Sequence, residues 1–117
     1  MQTKFAEVWG YKIRYLEDGR SDKTVVLIHG LGGSAERWLK VIPHLSTKYR
    51  VIALDMIGFG YSDKPSEDYT IEFFAKFLSA FIDSLGLKTT VLVGTSLGGQ
   101  IAAHCAGVNS KIEKVVL

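Results

Sequence analysis

Residues 91–104, VLVGTSLGGQIAAH, run from a branched apolar stretch through alternating small residues into a helical pattern. A strand that turns straight into a helix needs one or two small residues, yet here Gly94, Ser96 and Gly98 alternate. In a G-x-S-x-G arrangement the flanking glycines permit a sharp turn and lift the central side chain clear of the sheet. That side chain is Ser96. A serine hydroxyl is a weak nucleophile at neutral pH, so such a position calls for a general base and for donors to a developing oxyanion. The Leu97 amide, at the start of the expected helix, is one such donor. The glycine-rich HGLGG loop at 29–33 offers a second, the amide of Leu31, with that of Gly32 as the alternative.

Outward from this turn, TVVLIHG (24–30), YRVIALDM (49–56), TTVLVGTS (89–96) and KIEKVVL (111–117) are short β-branched runs without alternation. Such runs are expected of parallel strands buried on both faces. SAERWLKVIPHL (34–45) reads as a helix capped by Ser34. In TIEFFAKFLSAFIDSLG (70–86), Ile71, Phe74, Leu78, Phe81, Ile82 and Leu85 recur at helical spacing and Gly86 closes the pattern. FAEVWGYKIRYLEDG (5–19) places Val8, Tyr11, Ile13 and Tyr15 near period two around Gly10, which predicts two strands and a tight turn. The fold class is therefore α/β: a mostly parallel sheet with an antiparallel N-terminal edge, in one domain over residues 1–117. Ligands of such sheets bind at the carboxyl ends of strands, where HGLGGS, DMIGFGYSDKP (55–65) and GTSLGG fall.

Composition narrows the function classes. With 47% hydrophobic and 22% charged residues, 117 residues suffice for one real core. The net charge of +2 is spread along the chain, so no nucleic-acid partner is expected. No apolar run reaches membrane-spanning length and the N-terminus lacks a signal core, so a cytoplasmic chain without membrane contact is expected. Cys105, the single cysteine, sits in the helical run IAAHCAGV and is read as a small buried residue.

A rival reading takes Gly30, Gly32 and Ala35 as G-x-G-x-x-A after a strand, with Asp55 as a ribose-binding acid, making a dinucleotide-binding domain. It leaves GTSLGG without a purpose. Taken together, HGLGGSAERW, DMIGFGYSDKP and VLVGTSLGG resemble the α/β-hydrolases with a serine nucleophile, notably esterases and the carbon–carbon-bond hydrolases of ring-cleavage products. DMIGFGYSDKP is also similar to haloalkane dehalogenases and epoxide hydrolases, but those carry aspartate where this chain has Ser96. The resemblance implies acyl transfer from a small-molecule ester-like substrate to water, with Ser96 catalytic, Leu31 and Leu97 forming the oxyanion hole, and no metal or organic cofactor. It also implies that His29 supports the oxyanion loop.

The family presents serine, then acid, then histidine in chain order, the last two on later loops. KIEKVVL reads as the strand after the elbow helix, so the acid, the cap and the histidine are expected beyond Leu117. The chain is thus expected to be a truncated N-terminal core, weak or inactive alone. Among its histidines, His104 lies eight residues past Ser96 on a helix, about 12 Å away and out of reach, and His44 belongs to the first helix. His29 is the one candidate for a substitute base, because the family's strand order implies that its strand ends between those of Asp55 and Ser96. Otherwise Asp55 fixes a loop. The uncovered apolar strand 111–117 is expected to pair in a homo-oligomer, and a catalytically silent assembly module is the remaining alternative.

Overall fold

The computed structural model describes residues 1–117. Gln2–Val8 (β1) and Tyr11–Asp18 (β2) pair antiparallel across a two-residue turn. Trp9 and Gly10 both take positive φ there, 57° and 82°, the mirror-image turn whose twist matches the flanking strands. The Trp9 ring then packs edge-on against Phe73 and Phe77, which ties the hairpin to the helix beneath it.

The remaining strands are Lys23–Ile28 (β3), Arg50–Leu54 (β4), Thr89–Gly94 (β5) and Ile112–Val116 (β6). They form a six-stranded sheet in the order β1-β2-β4-β3-β5-β6, antiparallel at β1, β2 and β4 and parallel from β4 to β6. The chain winds from β3 to β4 on one side and then crosses β3 to reach β5 on the other. The carboxyl ends of β4, β3 and β5 are therefore neighbours, and the crevice lies where the winding reverses.

Two helices cover one face: Ile71–Ser84 (α2) and Leu97–Ala106 (α3). Thr70 caps α2 by accepting the Phe73 amide at 3.0 Å, and Gly86, at φ 65°, ends it. Phe74, Phe77, Leu78, Phe81 and Ile82 are all buried against β1, β2 and the central strands. Each such side chain contributes roughly 1.5–3 kcal/mol on leaving water.

On the other face the expected long helix 34–45 is broken. A 3-10 turn at Ala35–Trp38 is followed by a short α-helix, Ile42–Leu45 (α1). Ser34 does not cap with its side chain, and Pro43, which lacks an N–H, occupies the first turn of a restarted helix where that lack costs nothing. Trp38 and Ile42 are drawn down onto Leu16, Val25, Leu27, Val51 and Ala53. This cover does not extend over the far side of the sheet. The expectation of burial on both faces holds for β3 and β4, but Val91 and Val93 of β5 are only half-buried, and β6 is mostly exposed. No helix is long and apolar enough to cross a membrane.

Candidate active site

The turn at Thr95–Ser96 is forced by close backbone approach. Ser96 has φ 57° and ψ −122°, a conformation that costs a non-glycine residue on the order of 1–3 kcal/mol unless its surroundings over-determine it. They do. A Cβ on Gly94 would sit 2.3 Å from the Gly98 carbonyl oxygen, and one on Gly98 would sit 2.3 Å from the Ile28 carbonyl oxygen. Gly99 is different, since a Cβ there would meet the Leu117 side chain at an ordinary 3.4 Å. The Ser96 hydroxyl makes no capping bond, and Leu97 opens α3, where amides have no acceptor inside the helix.

Across from Ser96 runs the loop that follows β3. Gly30 abuts the serine so closely that a Cβ on it would stand 3.2 Å from Ser96 Cβ and 3.8 Å from its Oγ. The Gly33 amide closes a turn onto the Gly30 carbonyl at 3.0 Å, and Gly32 takes φ 73°. At the apex Leu31 is 79% exposed, and its amide donates to no group of the protein. His29, fully buried, holds the base of this loop. The Met56 amide donates to its Nε2 at 3.0 Å, which places the ring proton on Nδ1, donating to the Gly30 carbonyl at 2.7 Å. Both ring nitrogens are thus occupied by backbone groups, and no ring lone pair is free for Ser96. Burial pushes the His29 pKa below 6.5, against the opposing pull of the Gly30 carbonyl and Asp55.

Asp55 is wholly buried at the end of β4, and its carboxylate is saturated. It accepts the Ala35 amide at 2.7 Å, the Tyr61 amide at 2.9 Å and the Arg14 guanidinium at 3.2 Å. Gly60, at φ 55°, makes room for it, since a Cβ there would lie 2.4 Å from the carboxylate carbon. Arg14, buried in β2, also forms a two-pronged pair with Glu36 of the 3-10 turn, with Nη1 to Oε1 at 2.8 Å. This fork holds the Glu36 carboxyl at about 2 and raises the guanidinium further above its ordinary value. The Ser62 hydroxyl accepts the Arg14 amide and donates to the Asp55 carbonyl, while Asp63 accepts the Lys12 amide, so these residues lock the turn.

Beside Ser96 opens a cavity of about 490 Å³ lined by Leu31, Gly58, Phe59, Tyr69, Phe74, Ser96, Leu97 and Gln100. Its wall is aromatic: Tyr69 stacks on Phe74 with centroids 5.5 Å apart, and Phe59 stands against both Phe74 and the His29 ring. Phe59 lines the cavity. Trp38 does not; it lies in the core of the opposite face. Gln100 was not singled out, although its position four residues after Ser96 on one helix face was a usable signal. Tyr69 and Phe74 come from α2 and the segment before it, and nothing local in sequence marks them.

The dinucleotide reading does not survive this geometry. The carboxylate oxygens of Asp55 are consumed within the protein, and the glycine turn leads into a four-residue 3-10 turn instead of a helix that could face pyrophosphate. His44 lies exposed in the last turn of α1. His104 lies exposed on α3, its Nδ1–H donating to the Gln100 carbonyl at 3.0 Å. Cys105 is buried, and burial pushes its thiol up to about 12, so it is not a nucleophile at neutral pH. No group of three His, Cys, Asp or Glu side chains is placed to hold a metal ion.

A family model described as the alpha/beta hydrolase fold matches residues 23–117. The 2-hydroxy-6-oxo-6-(2'-aminophenyl)hexa-2,4-dienoic acid hydrolase of Metapseudomonas resinovorans is 39% identical over 93% of this chain and 39% of its own length. A haloalkane dehalogenase of Mesorhizobium japonicum is 39% identical over 79% of this chain and 30% of its own. Among solved structures, a bacterial membrane phospholipase A superposes with a TM-score of 0.93 at 33% identity, over 97% of this chain and 38% of that one. The chain thus spans well under half the length of these relatives.

Proposed function

The chain belongs to the α/β-hydrolase family, and we propose that it is the part of a serine hydrolase that carries the nucleophile, acting on an ester or related carbonyl substrate through an acyl-enzyme. The observation that carries this reading is Ser96 itself, held at φ 57° between two glycines that tolerate no Cβ, with its hydroxyl uncommitted. A structural serine has no need of that conformation. The family includes proteins of several chemistries, and the serine at the elbow is what favours acyl transfer in this chain.

In this reading the substrate carbonyl carbon sits over Ser96 Oγ and its oxygen points between the amides of Leu31 and Leu97. Attack forms the bond from Ser96 Oγ to the carbonyl carbon and moves the carbonyl electron pair onto oxygen, where both donors act most strongly on the charge that develops. The carbonyl then reforms as the ester C–O bond breaks, and the alcohol leaves with the proton that the serine hydroxyl gave up through solvent water. A second water hydrolyses the acyl-enzyme to release the acid and restore Ser96. The 490 Å³ cavity receives the acyl group, and its Phe59, Tyr69 and Phe74 wall suits an apolar or aromatic one. His29 and Asp55 serve the loops instead of the serine, because their acceptor sites are filled. Without a base in contact with Ser96, the chain alone is expected to retain only the contribution of oxyanion hole and binding, roughly 10³ to 10⁴ over water.

The test is hydrolysis of a short-chain p-nitrophenyl ester by the purified chain beside its Ser96→Ala variant. Weak turnover that Ser96→Ala abolishes supports the reading. Equal rates in both, with the fold intact, favour the silent assembly module. We also propose self-association through the outer edge of β6, which is unpaired and presents Val116 and Leu117 to solvent.

A further inference from the structure

The loop that carries the Leu31 amide is pinned at both ends and free between. At its start His29 bonds the Gly30 carbonyl and the Met56 amide. At its far end the Ala35 amide bonds Asp55, and the Glu36 carboxylate reaches in two directions. It accepts the Ser34 hydroxyl at 3.0 Å, within the loop, and it takes the Arg14 fork from β2. Leu31 to Gly33 make only the single turn bond from Gly33 to Gly30. With Leu31 exposed and unsupported by packing, the place of its amide follows from where the two ends are held.

We propose that Glu36 is a positioning residue for acyl transfer at Ser96, clamping the far end of the oxyanion loop to Arg14 so that the Leu31 amide stays aimed at the reacting carbonyl oxygen. The proposal rests on the hydrolase reading given above. A bidentate guanidinium–carboxylate pair suits this task because it fixes orientation as well as distance. Asp55 could not do it alone. It is bonded to the Ala35 backbone and leaves the Ser34 side chain and the 3-10 turn without a lateral tether. The division also makes Glu36 separable from the fold: without its carboxylate, buried Arg14 keeps Asp55 as counter-ion, so no buried charge is left unpaired. Removing Arg14 would strand the wholly buried Asp55 and is the poorer probe.

The experiment compares the native chain with Glu36→Ala, Glu36→Gln and, as a stability control, Asp83→Ala, which breaks the Lys111 pair at the C-terminal end of α2, away from the loop. Two quantities are read: the rate of Ser96 modification by a neutral fluorophosphonate, located by mass spectrometry, and amide hydrogen exchange peptide by peptide. Glu36→Ala is expected to slow modification about tenfold, a part of the roughly hundredfold that a 1 Å misplacement costs, and to speed exchange only in residues 30–36. Glu36→Gln, which keeps one acceptor for Arg14, is expected to fall between Ala and native. Asp83→Ala is expected to lower the melting temperature without either effect. Modification within twofold of native in Glu36→Ala overturns the proposal, as does exchange that rises equally across β3 and β4, the mark of a merely structural role. A native chain whose Ser96 is not modified at all overturns the hydrolase reading instead, and the exchange measurement then decides the clamp on its own.

Discussion

Gly98 lies so close beneath the end of β3 that a Cβ on it would stand 2.3 Å from the Ile28 carbonyl oxygen and 2.5 Å from that of His29. The strand that leads into the loop at 29–33 and the helix that follows Ser96 therefore touch backbone to backbone. That contact fixes the serine against the loop and gives the G-x-S-x-G spacing its physical meaning.

The contact separates neighbouring glycines. Gly98→Ala is expected to destabilise by about 1–3 kcal/mol, the range for overpacking a rigid site. Gly99→Ala, whose Cβ meets only a side chain at ordinary distance, is expected to be neutral or to gain up to about 1 kcal/mol from helix propensity. Urea unfolding of both variants checks this. Equal effects would mean that the approach of α3 to β3 is looser than described.

The buried His29 is expected to stay neutral, with its proton on Nδ1, as the pH falls past 6.5. Its folded pKa is lowered, chiefly by burial, so the stability it contributes is fully present above the unfolded value and lost as pH falls through the folded one. Nitrogen chemical shifts of the ring read both tautomer and titration. A ring that titrates at or above 6.5 would contradict the assignment of a buried, neutral imidazole.

Glu36 sets a second, more acidic window. Its folded pKa of about 2 lies below the ordinary 4.5, mainly through the Arg14 hydrogen bonds, so its share of stability holds above 4.5 and fades as pH falls toward 2. The native chain is therefore expected to lose stability across that window more steeply than Glu36→Gln, as measured by urea midpoints. Parallel profiles would show that the pair is not formed in solution.

The open edge of β6 gives a prediction about assembly. The chain is expected to sediment as a homo-oligomer at micromolar concentration and to shift toward monomer in Val116→Lys, which charges the exposed side of the strand. A well-folded native monomer would remove this proposal and leave the site description untouched.

Local pattern carried much of this architecture. The hairpin around Gly10, the helical spacing of α2 with its stop at Gly86, and the run of parallel strands were all legible, because each rests on spacing between near neighbours. What was illegible rests on distant partners. Arg14 reads as one polar residue of an alternating strand, and only the fold shows that Asp55 and Glu36, from two other segments, bury it. The long helix expected at 34–45 failed because Pro43 has no N–H to donate inside a helix, and the chain instead makes a 3-10 turn and restarts with Pro43 in the first turn of α1. At the site, Ser96 and the glycines declared themselves by spacing, whereas Tyr69 and Phe74 reach the cavity through packing that no short window contains.

The account turns on Ser96 as the nucleophile, and covalent capture tests it most directly. Treated with a fluorophosphonate and digested, the chain is expected to yield one main adduct, formed slowly for want of a base and located on Ser96 by mass spectrometry. Ser96→Ala, still folded, is expected to yield none. An adduct on another serine with Ser96 untouched, or capture by Ser96→Ala at the native rate, would contradict the central claim.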